Sequence, residues 1–484
     1  MPIDNVAFLT RLKAVCQDVI TDTERRSVYE TDGLTAKRQL PGVVVLPETV
    51  DQVQAIVRLC HEFEVPLVAR GAGTGLSGGA MPHAEGVLLV MAKFNRILAV
   101  DAGNLSAVVQ PGVTNLGISN AVADLGLYYA PDPSSQIACT IGGNVAENAG
   151  GVHCLKYGLT VHNVLALKVV LPDGELTEIG SLGYDAAGLD LLALMHGSEG
   201  MLGIVVEVTV KLLPKPPSVA VLMAAFATVD DAAQAVADII GAGILPAGLE
   251  MMDGLAIQAA EDYIQAGYPT DAEALLLCEL DGLPEELETL SQRVQDMLAT
   301  RQLMLLREAT AEEERMKLWQ GRKAAFPAVG RIAPDYYCMD GTIPRRELAG
   351  VLGRIRELSA EYGLQVANVF HAGDGNLHPL ILYDANNTDE LERAEQFGSD
   401  ILCLCIERGG TITGEHGVGI EKINEMCVQF SVPELTLFHA IKAAFDEKRL
   451  LNPEKAIPTL SRCAEFGAMH VHTGGEKFEA LERF

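Results

Sequence analysis

At 484 residues, 49% of them hydrophobic, the chain is long enough for two or three domains with sizeable cores. Acidic residues outnumber basic ones 65 to 36, a formal charge of −29, which argues against nucleic acid as a partner and against electrostatic docking on anionic lipid. Any positive charge that an anionic substrate requires has to be local.

The opening Met1-Pro2-Ile3-Asp4-Asn5 has no basic n-region, so no secretory signal peptide is expected. No stretch approaches the roughly 18 apolar residues of a membrane span. Ten cysteines occur without a Cys-x-x-Cys pair. Cys403 and Cys405 lie within an apolar run, so the pattern predicts reduced, structural thiols of a cytoplasmic protein and argues against an iron–sulfur cluster in this chain.

After a helical lead-in over residues 1–35, the segment 43–47 reads as a strand, 51–63 as an amphipathic helix and 65–69 as a strand. They lead into Arg70-Gly-Ala-Gly-Thr-Gly-Leu-Ser-Gly-Gly79, which contains a formal G-x-G-x-x-G at Gly73, Gly75 and Gly78, with Asp101 further on. A dinucleotide-binding fingerprint needs a helix directly after the glycines. Gly79, Pro82 and Gly86 forbid one here, and 86–92 is again a strand. The loop is better read as a nest of backbone N–H groups for a pyrophosphate. Two further glycine-rich clusters follow, at 140–151 (behind Pro131-Asp-Pro-Ser-Ser135) and at 198–203, entering a strand over 204–210. Pro172-Asp-Gly174 turns a hairpin between them. Three such loops suggest one extended ligand held by one domain.

Leu213-Pro-Lys-Pro-Pro217 predicts a domain boundary. Strand-like 219–226 and 274–280 and helical 232–240 and 284–301 then suggest an α+β domain with an antiparallel sheet. The expected division is 1–215, 216–456 and a tail over 457–484.

The segment His371-Ala-Gly-Asp-Gly-Asn-Leu-His378 lies between two apolar runs, and Asp374-Gly375 is a hairpin signal. A two-residue turn there sets His371 opposite His378, with Cβ atoms about 4.5–5.5 Å apart on one face. Two imidazoles so placed can bind one metal ion. Glu415 offers an oxygen ligand and His416 a base beside it.

These segments carry a resemblance. Residues 70–79, 131–135, 141–151 and 198–203 resemble the FAD-binding domain of the vanillyl-alcohol-oxidase/PCMH flavoproteins. Residues 371–378, 414–419 and 451–453 resemble that superfamily's D-2-hydroxyacid dehydrogenase branch. Within it, Trp319-Gln-Gly-Arg-Lys-Ala-Ala-Phe326, residues 335–344 and the tail 462–472 resemble the FAD-linked D subunits of bacterial glycolate oxidases (glycolate dehydrogenases). The resemblance implies an α+β fold: a PCMH-type FAD-binding domain followed by a C-terminal substrate or cap domain. It implies FAD held by Arg70, Gly71, Ala72, Gly73, Thr74, Gly75 and Ser77 at the pyrophosphate. Pro131, Ser134, Gly142, Asn144 and Gly151 would line the isoalloxazine and ribityl region, with Ile204 at the adenine end and Asn452 reaching the flavin from the C-terminal domain. Relatives with covalent flavin often use a His in the first loop; residues 70–79 contain none, so the FAD should be non-covalent.

The same resemblance makes His371, His378 and Glu415 ligands of a divalent metal (Zn, Mn or Fe), His416 the catalytic base and Arg322 the clamp for the substrate carboxylate. Relatives acting on hydroxyglutarate bind its distal carboxylate with a Lys. Cys338 stands at that position here, and Phe326 replaces another polar residue. The implied reaction is oxidation of glycolate to glyoxylate, with hydride passing from C2 to flavin N5. The alternatives are a D-lactate dehydrogenase of the same fold and a non-catalytic FAD electron relay. Implied partners are the other glycolate oxidase subunits, one an iron–sulfur protein, with the membrane reached only through them. Phe466, Met469, Val471, Phe478 and Phe484 make residues 461–484 a candidate dock.

Overall fold

Thr49 opens the first long helix by accepting a hydrogen bond from the Gln52 N–H, and the helix runs Val50–Phe63. Its Val53, Ile56, Val57 and Cys60 recur on one face and are buried. That face packs into an apolar core with Phe8, Leu12, Val43, Val45, Leu67, Val87 and Leu89. The structure, a computed structural model, describes residues 5–183, 188–459 and 461–463. Most of the proposed dock, residues 464–484, therefore lies outside the described residues.

The described chain divides into two units. The first combines residues 1–150, 159–214 and 415 onward; the second takes 151–158 and 215–414. The break at 214/215 falls in the predicted linker. Residues 415–456, grouped by sequence with the second domain, cluster instead with the first unit.

In the first unit, strands β1 (Val19–Ile20), β2 (Val43–Val45), β3 (Leu67–Arg70) and β4 (Val87–Val90) form a sheet in the order β1-β2-β4-β3. β2, β4 and β3 are parallel and β1 is antiparallel. No helix follows β3, so the glycine-rich loop is no dinucleotide fingerprint. A second, antiparallel sheet has the order β5-β6-β10-β8-β9. Its strands are β5 (Ile97–Asp101), β6 (Ser106–Val109), β8 (Val164–Val170), β9 (Leu176–Gly180) and β10 (Ile204–Lys211). β7 (Leu127–Tyr128) pairs with β11 (Leu213–Pro214). The predicted 172–174 turn joins β8 to β9, with Gly174 at φ +81°.

The second unit is built on a seven-stranded sheet in which every neighbouring pair is antiparallel. The order is β15-β12-β14-β13-β17-β18-β16. These strands are β12 (Ser218–Phe226), β13 (Gly248–Asp253), β14 (Ala274–Gly282), β15 (Leu303–Ala309), β16 (Asp335–Cys338), β17 (Val366–Phe370) and β18 (Pro379–Tyr383). β12 and β14 match the predicted strands, and the α+β architecture stands.

One expectation is corrected. Cys427 and Cys463 form a disulfide, so these two are not reduced thiols. The remaining cysteines carry thiols rather than disulfides, Cys403 half-buried and the others buried. Among the described residues, no helix is long and apolar enough to cross a membrane.

Candidate active site

The β17–β18 ladder pairs Val366 with Ile381, Ala367 with Leu380 and Asn368 with Pro379. Continued to the tip, this register sets His371 against Asn376, as the isolated bridge between them records. The predicted two-residue turn is thus replaced by a wider one: His371 N–H donates to Asn376 O at 3.0 Å and Gly375 N–H to His371 O at 3.1 Å. The pairing has slipped by two residues, and an even slip keeps every side chain on its face. His371 and His378 become diagonal rather than direct neighbours. Their rings meet edge to face, centroids 5.1 Å apart. Both are buried. Gly375 makes the turn possible: its φ is +85°, and a Cβ there would overlap the Ile343 carbonyl oxygen.

A residue that the sequence reading missed organises this pair. β13 pairs with β17 through Met251–Phe370 and Met252–Val369, so the same register brings Glu250 opposite His371. Glu250 Oε1 accepts a hydrogen bond from His371 Nδ1 at 2.7 Å. An ionised carboxylate can only accept, which assigns a proton to Nδ1 and points Nε2 away from Glu250. Burial pushes the Glu250 carboxyl up, but the interactions with His371 and Arg322 outweigh it and hold it below the usual range. The only signal in the sequence is an acid within the apolar stretch 247–252.

Arg322 comes from the helix Glu312–Val329 and is 2% exposed. Its Nη2 lies 2.7 Å from Glu250 Oε2, an ion pair out of line for a hydrogen bond. Nε and Nη2 are buried without a hydrogen-bond acceptor. Unsatisfied buried donors on a cation are costly; a substrate carboxylate would satisfy them. Phe326, one turn on, packs edge-on against His378, centroids 6.3 Å apart. Cys338 pairs with Leu380 in the β16–β18 ladder, on the face of His378. Two imidazoles, one oriented by a carboxylate, fit a divalent ion.

The first unit holds the other predicted residues. Arg70 folds beneath the first loop, where a Cβ on Gly73 (φ +72°) would overlap its guanidinium. Gly75 has open space around it. A Cβ on Gly71 would overlap Thr140 Oγ1, a buried hydroxyl with no hydrogen-bond partner. A backbone cradle beside an orphaned hydroxyl fits a polar cofactor such as FAD. Asn144 is buried and its Oδ1 accepts from Asn115, which also bonds Pro131 O. Gly142 packs on Pro111. Ile204 is buried and Ser134 exposed. Gly151 falls in the second unit.

Three of the predicted residues bond within the first unit. Ser77 donates its hydroxyl to His416 O at 2.8 Å, tying that backbone to the first loop. Asn452 lies in the first unit, and its amide donates to Gly79 O at 2.9 Å and to Glu199 O, bridging two loops. Glu415 Oε2 accepts from the Gly150 N–H at 3.1 Å.

Behind these loops lies a buried charge cluster. Glu199 accepts from the N–H groups of Val418 and Gly419, each at 2.8 Å. Glu147 lies beside it; a Cβ on Gly417 would overlap Glu147 Oε2. Burial raises the Glu147 carboxyl well above its ordinary value, and the Glu199 charge adds to this. Lys455 donates to Gly79 O, Met81 O and Asn452 Oδ1. Burial lowers its ammonium to about 8.

Residues 41–180 match the FAD binding domain family, and 215–456 match the C-terminal domain of FAD linked oxidases. The chain is 62% identical over 467 residues to the glycolate oxidase subunit GlcD of Escherichia coli K12, covering 96% of this chain and 94% of that one. It is 33% identical over 426 residues to a D-lactate dehydrogenase of Anaerostipes hadrus, covering 86% and 89%. The structure of p-cresol methylhydroxylase with substrate bound matches with a TM-score of 0.80 at 18% identity, covering 94% of this chain and 97% of that one.

Proposed function

The chain belongs to the FAD-linked oxidases, and on that premise we propose that it oxidises glycolate to glyoxylate with non-covalent FAD and a divalent metal. The observation that carries this reading is the buried row Arg322, Glu250, His371 and His378, a cation for a carboxylate beside two imidazoles. The name of the GlcD relative supports glycolate, and the D-lactate dehydrogenase is the more distant relative. Bound FAD supplies the two-electron acceptor, and an ion on His371, His378 and Glu415 supplies a Lewis acid. Arg322 takes the substrate carboxylate on its unsatisfied donors. His416 accepts the hydroxyl proton on its imidazole. Cys338 and Phe326 offer no cation to a second carboxylate, which disfavours a diacid.

As a subunit, the chain would pass electrons to partner subunits, one of them an iron–sulfur protein, and meet the membrane through them. Steady-state turnover with a dye acceptor tests the substrate: glycolate should give the highest kcat/KM, and D-2-hydroxyglutarate giving it would overturn the pocket assignment. His371→Ala and His378→Ala should lose metal and keep FAD, whereas His416→Ala should keep both and lose rate by about 10²–10⁴-fold. Acid precipitation should release the flavin into the supernatant.

A further inference from the structure

We infer that Glu250 is a positioning residue that sets the metal ligand His371 and the carboxylate clamp Arg322 with one side chain, coupling the two subsites. The inference rests on the proposed function and deepens it. Its geometry is confined to the second unit. Strand register brings Glu250 opposite His371, and each carboxylate oxygen serves a different partner: Oε1 takes the His371 Nδ1–H at 2.7 Å and Oε2 meets Arg322 Nη2 at 2.7 Å. Glu250 and Arg322 are 1% and 2% exposed, so water supplies little substitute for either contact. A carboxylate on Nδ1 fixes the tautomer and the ring plane, and with them the direction of Nε2. The same charge keeps the buried guanidinium in place while Nε and Nη2 stay without acceptors. Other groups facing the pair include Tyr268, which interacts with Arg322, and His378 just before β18, whose Nδ1 lies 3.3 Å from Met339 O and 4.0 Å from Asp340 Oδ1.

Glu250→Gln isolates this role. A glutamine has the same shape but presents oxygen to one partner and NH₂ to the other, and both partners are donors. It must fail one and lose its charge toward both. The FAD-loaded enzyme is stripped with a chelator and dialysed against Zn²⁺, and glycolate kinetics are measured after reloading; thermal unfolding and FAD content monitor the fold. The expected result is Zn²⁺ affinity weakened about 10–100-fold together with a raised KM, at wild-type FAD content. His371→Ala should lose Zn²⁺ affinity, and Arg322→Gln should raise KM at unchanged Zn²⁺ affinity. A purely structural ion pair would lower the unfolding temperature and leave both readouts alone. If wild type binds Zn²⁺ through His371 but Glu250→Gln changes only one readout, or neither, the coupling is overturned and the proposed site stands. A wild-type enzyme that binds none of Zn²⁺, Mn²⁺ and Fe²⁺ stoichiometrically overturns both.

Discussion

A buried residue is decided by its partners. Glu147 shows this most sharply, since it faces Glu199 and shares the interior with Lys422 and Lys455. Its folded carboxyl titrates well above the ordinary 4.5 because burial, then the Glu199 charge, disfavours ionisation. From pH 4.5 up to that raised value, the folded state keeps a proton that the unfolded chain has lost. Its contribution to stability is therefore full below 4.5 and lost as pH rises. Glu147→Gln should flatten the decline, unfolding at a higher temperature than wild type at pH 8 and converging with it toward acid. Calorimetry of both FAD-loaded proteins from pH 5 to 8 checks this; parallel curves would contradict it. The same logic explains what sequence reading missed in the second unit: that Glu250 receives Arg322. Basic neighbours along a helix speak of its exposed face and say nothing of the one side chain turned inward.

Among the elements, the β17–β18 hairpin was the most legible. Its apolar flanks set the strands and its glycines set the turn. The register was misjudged by two residues because Gly373 and Gly375 allow a wider turn than Asp374-Gly375 alone. The consequence for the two histidines was small, since an even slip preserves the face. Gly375→Ala should damage this element specifically. A left-handed alanine costs about 1–2 kcal/mol before the overlap with Ile343 O is added. Denaturant unfolding should show at least that loss, with metal content reduced and FAD content kept. Retained stability and metal would mean that the turn tolerates another conformation. β13 was not anticipated at all: its Gly248, the acid at 250 and Asp253 obscure a strand pattern that packing between β14 and β17 makes stable.

For the molecule as a whole, the chain leaves the first unit after residue 214 and returns at 415, where Glu415 and His416 begin a segment carrying Asn452 and Lys455. Cys427 and Cys463 close 36 residues of that returning segment. On the chain-entropy account such a loop is worth about 4 kcal/mol. Non-reducing peptide mapping should recover the linked pair, and Cys463→Ser should lower the unfolding temperature without loss of activity at 25 °C. Full alkylation of both thiols in the unreduced native protein would refute the bond. Cysteine spacing could not disclose it, because Cys-x-x-Cys rules address local motifs and this pairing depends on how distant segments pack.

Sequence alone determined what is local: the amphipathic helix over 51–63, the glycine loops without a following helix, the 172–174 hairpin, the linker near 215 and the facing of His371 and His378. Each follows from periodicity, turn chemistry or missing Cβ atoms within a few residues. Tertiary structure decided what joins distant positions. Glu250 and His371 stand 121 residues apart and meet only through the β13–β17 register. Arg322 is interior because its helix lays that residue against the same carboxylate. Ser77 bonds His416 across 339 residues. Periodicity assigns a side chain to a face, but the partner across that face is fixed by sheet order, burial and the need to satisfy buried charge.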